Sequence, residues 1–135
     1  MAHGAPDWVR MVQVAVTVDL VPVVPKETEQ RAAGAVGRKA NATTGYLTVA
    51  SWEVAADMVG ELKEILILSD DYVNSVFQVT VGDVVWATNW QMKSSMPIIF
   101  EDLKLAAGKI VLVEVKSNGT DTVTVDAIIV GKEIG

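Results

Sequence analysis

The stretch Glu61-Leu-Lys-Glu-Ile-Leu-Ile-Leu-Ser-Asp-Asp-Tyr-Val-Asn-Ser-Val-Phe-Gln-Val-Thr-Val81 decides the fold class. Ile65 to Leu68 is apolar at four consecutive positions, as expected of a strand covered on both faces. Asp70-Asp71 and Asn74-Ser75 are residues that favour turns. Beyond them, Phe77, Val79 and Val81 alternate with Val76, Gln78 and Thr80, the period of a strand with one buried face. The stretch reads as a hairpin of two strands joined by a short acidic turn.

Working outward, the same pattern repeats. Gly82-Asp83 is a tight-turn signal before Val84–Thr88. Residues 96–100 and 104–106 flank Glu101-Asp102, which reads as a turn. Val111, Val113 and Val115 alternate with Leu112, Glu114 and Lys116. Ser117-Asn-Gly-Thr-Asp121 reads as a hairpin loop, and Thr122–Val130 as the last long strand. Upstream, Leu47–Val54 is strand-like. Residues 11–24 are β-branched, with Val12, Val14, Val16 and Val18 on one face and Pro22 marking an edge, bulge or strand end. Residues 25–45 are small, polar and glycine-dotted, and read as an extended arm or long loop. About eight strands result, and no helical period persists beyond two turns. The expectation is an all-β protein: a β-sandwich body over 46–135, with a jelly roll favoured over an open barrel. Residues 1–45 form an N-terminal strand and extended arm. Leu66, Leu68, Phe77, Val79, Val113 and Val125 are expected in one core.

A chain of 135 residues suits one domain able to bury a core without disulfides or metal. The absence of cysteine excludes disulfide frameworks, thiolate metal sites and cysteine nucleophiles. Residues 1–45 carry five basic and four acidic side chains, and residues 46–135 carry six basic and thirteen acidic ones. An acidic body repels phosphate, so nucleic acid is not an expected partner. No apolar run approaches the roughly 20 residues that cross a bilayer, nor is there a leader-like start, so no membrane partner is expected. Half of the residues are nevertheless apolar, more than a lone sandwich hides easily, which points to self-association, with a homotrimer expected.

No residue constellation specifies a reaction or calls for a cofactor. His3 is the only histidine, which removes Ser-His-Asp catalysis and multi-histidine metal sites. Asp70, Asp71 and Asn74 lack the alternating ligands of a calcium loop and read as a capped turn. Glu101-Asp102 is a carboxylate pair without a glycosidase context. Gly34 to Lys39 lacks the spacing and ending of a phosphate loop, although Arg38 and Lys39 form the only adjacent basic pair. Asn41-Ala-Thr43 and Asn118-Gly-Thr120 match glycosylation acceptors by chance. Trp52, Trp86 and Trp90 could form an aromatic surface for sugar rings, with Asn89 adding polar contacts. Trp8, Val21, Val23, Arg38 and Lys39 are the candidate contacts of an interaction arm ordered by its partners, in which an edge strand adds to another sheet.

Two regions together resemble a known group. Gly4-Ala-Pro-Asp-Trp8 followed by Val14–Val24 resembles the start of small structural proteins of tailed bacteriophages. Val59–Ile65 and Thr124–Ile134 resemble strands of β-sandwich virion proteins. The resemblance implies a non-enzymatic virion protein, foremost a head decoration (cement) protein, made in the host cytoplasm and carried on the capsid surface. Its implied partners are itself, the major capsid protein and other virion proteins; a tail or baseplate component is the nearest variant. A carbohydrate- or receptor-binding sandwich is the alternative from the residues alone, and a small hydrolase ranks last for want of a nucleophile–base pair.

Overall fold

The computed structural model describes residues 30–135. The elements among them are eight strands: β1 (Gln30–Asn41), β2 (Leu47–Glu53), β3 (Val59–Ser69), β4 (Val76–Val81), β5 (Val84–Trp90), β6 (Ile98–Leu105), β7 (Ile110–Lys116) and β8 (Val123–Ile134). They form two four-stranded sheets, in the order β1-β8-β3-β6 and β2-β7-β4-β5. All pairings are antiparallel, and they are nested. β1 pairs with β8, β2 with β7, β3 with β6 and β4 with β5. The β3–β8 and β4–β7 ladders complete the sheets.

Apolar alternation cannot distinguish two strands side by side from two strands facing each other across a core. Here the strands face each other. The arms of 61–81 do not form a hairpin. β3 lies in the first sheet and β4 in the second, so the turn at 70–75 carries the chain across the sandwich. Asp70 anchors that crossing: its N–H donates to the Thr124 carbonyl at 3.1 Å, and its Oδ1 accepts the Thr124 N–H at 2.9 Å. Ser117–Asp121 likewise joins the two sheets and does not close a hairpin. The tight hairpin is β4–β5, where Gly82 and Asp83 both take positive φ (60° and 67°). Two such residues are what a type I′ turn requires.

Residues 30–41, expected in an arm or loop, are instead a twelve-residue strand at the edge of the first sheet. It is held by an unbroken register with β8, from Gln30 opposite Ile134 to Asn41 opposite Val123. Its glycines mark close approach. A Cβ at Gly34 would overlap the Ile129 carbonyl oxygen, and one at Gly37 would overlap that of Val49 on β2. A small-residue composition therefore reads as a loop when its cause is backbone meeting backbone. Trp8, Val21 and Val23, with the rest of 1–29, lie outside the described residues.

Glu101-Asp102 is also not a break between strands. β6 runs through it with an irregularity opposite Lys63. Asp102 takes a positive φ of 49°, and its Oδ1 receives the Lys63 ammonium at 2.7 Å. Because Lys63 sits at the register shift, Leu62 and Ile65 both reach the core despite their odd separation.

The core lies between the sheets. Ile65, Ile67, Val125, Ala127 and Ile129 meet Phe77, Val79, Val111, Val113 and Val115. Leu66 and Leu68, expected inside, face outward: Leu66 is half-buried and Leu68 exposed. Four consecutive apolar residues leave parity open, and pairing of Ile65 with Ile129 and of Ile67 with Ala127 settles it. Substitution should separate the two faces. Ile67→Ala is expected to cost about 2–5 kcal/mol, and Leu68→Ala no more than about 0.5 kcal/mol. Urea unfolding followed by tryptophan fluorescence checks both.

Candidate interaction surfaces

The three tryptophans proposed as one aromatic surface are not brought together. Trp52, on β2, is 5% exposed and belongs to the core. Its ring reaches across the sandwich to the first sheet, where Gly60 and Gly131 leave room for it. A Cβ at Gly131 would come within 2.8 Å of the ring, and one at Gly60 within 3.3 Å. Its Nε1–H donates to Glu133 Oε1 at 3.0 Å. Glu133 Oε2 accepts from Arg31 at 3.0 Å and from the Ala55 N–H at 3.3 Å. A buried carboxylate is thus fully engaged, as burial demands.

Trp86 and Trp90 do share a site. Trp86 is 56% exposed and tilts against Phe100 of β6, with ring centroids 5.3 Å apart. The two rings sit on strands of different sheets, at the side of the sandwich where β5 and β6 are the edges. Between them runs a groove of about 480 Å³, lined by Val79, Trp86, Trp90, Ile98, Phe100 and neighbouring β5 residues. Asn89, the expected polar contact, is already engaged: its Oδ1 accepts from Tyr46 at 3.1 Å and from Lys116 at 2.6 Å.

A second surface lies on the first sheet. Register partners in a sheet point the same way, so the pairs Val36–Ile128, Leu66–Ile128, Glu64–Val130 and Glu64–Ile99 share one face. That face is the outside of the first sheet. Val36 is 79% exposed and Ile99 73%, with Leu68 and Val130 also exposed. Arg38 and Asp126 border it, their side chains joined by two hydrogen bonds of 2.6 and 3.0 Å. The outer face of the second sheet is mixed by contrast, with Leu112 and Val85 beside Thr80 and a polar group around Gln78. Gln78 donates to Glu114 at 3.1 Å and accepts from Thr88 at 2.8 Å. A signal was present in the sequence: Ile65–Leu68 and Ala127–Val130 are apolar on both parities, whereas 76–81 alternates.

The remaining candidates resolve into structure. Arg38 is committed to Asp126, whose carboxyl it holds below the usual range through hydrogen bonding and charge. Lys39 is exposed on the same edge strand. Asp71 caps its own turn, accepting from the Asn74 N–H at 3.2 Å and the Asn74 side chain at 2.7 Å. No group of three or more metal-ligating side chains occurs among the described residues. Asn41 is buried, and its Nδ2 donates to the carbonyls of Gly45 and Val115. No helix among the described residues is long and apolar enough to cross a membrane.

No family model matches the chain, and no curated protein matches it. Among solved structures it is similar to a chain of the acidic stable capsid structure of Helicobacter pylori bacteriophage KHP30. The TM-score is 0.50 and the identity 11%, over 78% of this chain and 93% of that one. At that identity the likeness is one of fold. The spans also make the capsid chain shorter than this one.

Glu133 gives the arrangement a pH dependence. The Trp52 indole first, then Arg31 and the Ala55 N–H, hold its carboxyl below the usual glutamate range against the opposing effect of burial. A lowered folded value means that its stabilisation is complete above the unfolded pKa and is lost as pH falls through the folded one. Melting temperature measured from pH 7 down to pH 3 should fall less steeply in Glu133→Gln than in the parent, and Trp52→Phe should show the same flattening.

Proposed function

We propose that this protein is a non-enzymatic structural component of a phage virion, a capsid decoration protein that braces neighbouring capsid subunits from outside. The observation that carries the reading is the apolar outer face of the first sheet, on a fold similar to a phage capsid chain. A monomeric surface rarely leaves a large contiguous apolar patch open unless something binds there. Val36 and Ile99 would each contribute about 1.5–3 kcal/mol if fully covered. We read the sandwich as a jelly roll. The nested pairing of first with eighth, second with seventh, third with sixth and fourth with fifth strands supports this, and that architecture recurs in viral capsid proteins. The partners in this reading are the major capsid protein and further copies of the chain, as a homotrimer, and the location is the capsid surface. The net charge of −6 disfavours direct contact with the packaged nucleic acid.

A carbohydrate-binding module remains a second reading because Trp86 is exposed at the mouth of a groove. Removal of Trp52 to the core and the engagement of Asn89 weaken it. Quenching of tryptophan fluorescence separates the two: a shift on adding oligosaccharide would favour the second reading.

The test of the first is incorporation into heads. Val36→Asp and Ile99→Asp should leave the β-type circular dichroism unchanged, because both side chains point to solvent in the isolated protein. Each should weaken binding to purified heads about tenfold or more, since about 1.4 kcal/mol corresponds to a factor of ten. Undiminished binding, or recovery of the protein only in tail fractions, would sink the head-decoration reading.

A further inference from the structure

The outer face of the first sheet is made of rows that cross its strands. One row runs Val36, Ile128 and Leu66 over β1, β8 and β3. The next runs Gly34, Val130, Glu64 and Ile99 over β1, β8, β3 and β6. Val36 and Ile99 are the most exposed apolar residues here, and they stand at opposite corners of the two rows. With strands about 4.8 Å apart and same-face neighbours about 6.8 Å apart, the corners are separated by about 16 Å. One partner surface that covers both corners also covers what lies between them, and Glu64 lies there.

Glu64 is a half-buried carboxylate with Val130 on one side, Ile99 on the other and Leu66 two residues along its own strand. The charges bordering the patch are matched within the chain: Arg38 with Asp126, Lys63 with Asp102, and Lys104 and Lys132 with Glu61. Among the described residues Glu64 forms no ion pair. Water solvates it in the free protein. An apolar partner would strip that water, and an unpaired carboxylate in a dry contact is strongly disfavoured. A second copy of the same face is a poor match, because the cations bordering it are held by their own carboxylates. The row also opens at Gly34, where no side chain stands beside Val130. The aliphatic stem of a long side chain can lie along that lane and carry its charged head to Glu64.

We infer that the capsid surface seated on the first sheet presents a cationic side chain, arginine or lysine, to Glu64, ringed by apolar side chains that cover Val36, Leu66, Val130 and Ile99. The inference rests on the capsid-decoration reading and adds to it the chemistry of the partner. Charge-assisted hydrogen bonds replace the water lost from the carboxylate. The carboxylate also makes the face selective. A surface that is apolar throughout strands Glu64 and is rejected, whereas one with a central cation is accepted. Residues 46–135, with six basic and thirteen acidic side chains, attract such a surface from a distance.

Binding to purified heads is measured for the parent, Glu64→Gln, Glu64→Lys and Glu53→Gln, beside Val36→Asp and Ile99→Asp. Glu64→Gln keeps the shape of the side chain and removes its charge. Glu53→Gln removes the same charge from the exposed end of β2 in the other sheet. Circular dichroism should be unchanged in all of them. Glu64→Gln should bind about tenfold more weakly than the parent, Glu64→Lys about a hundredfold or more, and Glu53→Gln within about twofold. Binding of Glu64→Gln as tight as the parent's, or tighter, would overturn the inference, because the carboxylate would then meet no cation. Equal losses in Glu64→Gln and Glu53→Gln would overturn it too, leaving only long-range attraction. So would a larger sedimenting mass of Glu64→Gln with head binding intact, which would assign the charge to keeping copies of the face apart. In these three cases weakened binding of Val36→Asp leaves the decoration reading standing. If Val36→Asp and Ile99→Asp both bind heads undiminished, that reading fails and the inference fails with it.

Discussion

The sandwich depends on one contact between its sheets near one end, the ring of Trp52 laid over Gly60 and Gly131 with its N–H bound to Glu133. Trp52 belongs to the second sheet; the two glycines and the glutamate belong to the first. Glu133 also binds Arg31 of β1. One buried carboxylate thereby links β8, β2 and β1, and the ring fills the space that two absent side chains leave. Glu61 does a related task at the same end. It is buried and lies between Lys104 of β6 and Lys132 of β8. Buried charges of this kind add little net energy but are costly to break, because removing one partner strands the other. They fix how the sheets sit on each other more than they add to the hydrophobic core.

With that geometry fixed, the two outer faces become unlike. The second sheet shows water a polar rib, Glu114–Gln78–Thr88. The first shows valine, leucine and isoleucine around Glu64, bordered by the Arg38–Asp126 pair. Stability does not need that difference, since the inner faces alone supply the packed core. Among the described residues nothing covers that face, and an apolar face of this kind is what an interaction site presents.

The sequence by itself determined the class of the fold and most of its strands. Alternation in 76–81 and 111–116 put Phe77, Val79 and Val113 in the core, because a half-buried strand has a period of two and these segments keep it. Gly82-Asp83 announced its turn through residues that tolerate positive φ. The lack of cysteine and the single histidine bounded the chemistry before any coordinate was known.

Only the tertiary structure decided which strands are neighbours and which way the uniformly apolar ones face. Ile65–Leu68 has no polar position to mark its outer side, so the inward choice of Ile65 and Ile67 came from their β8 partners and from the irregularity at Lys63. The turns at 70–75 and 117–122 look like hairpin turns locally. They join different sheets, because burying two apolar faces against each other satisfies the same pattern as pairing them edge to edge. β1 was hidden by its own glycines, whose role depends on backbones distant in sequence. Trp52 and Trp86 are the same residue type at strand positions, yet one is core and the other surface, because glycines in the opposite sheet admit the first and an open edge exposes the second.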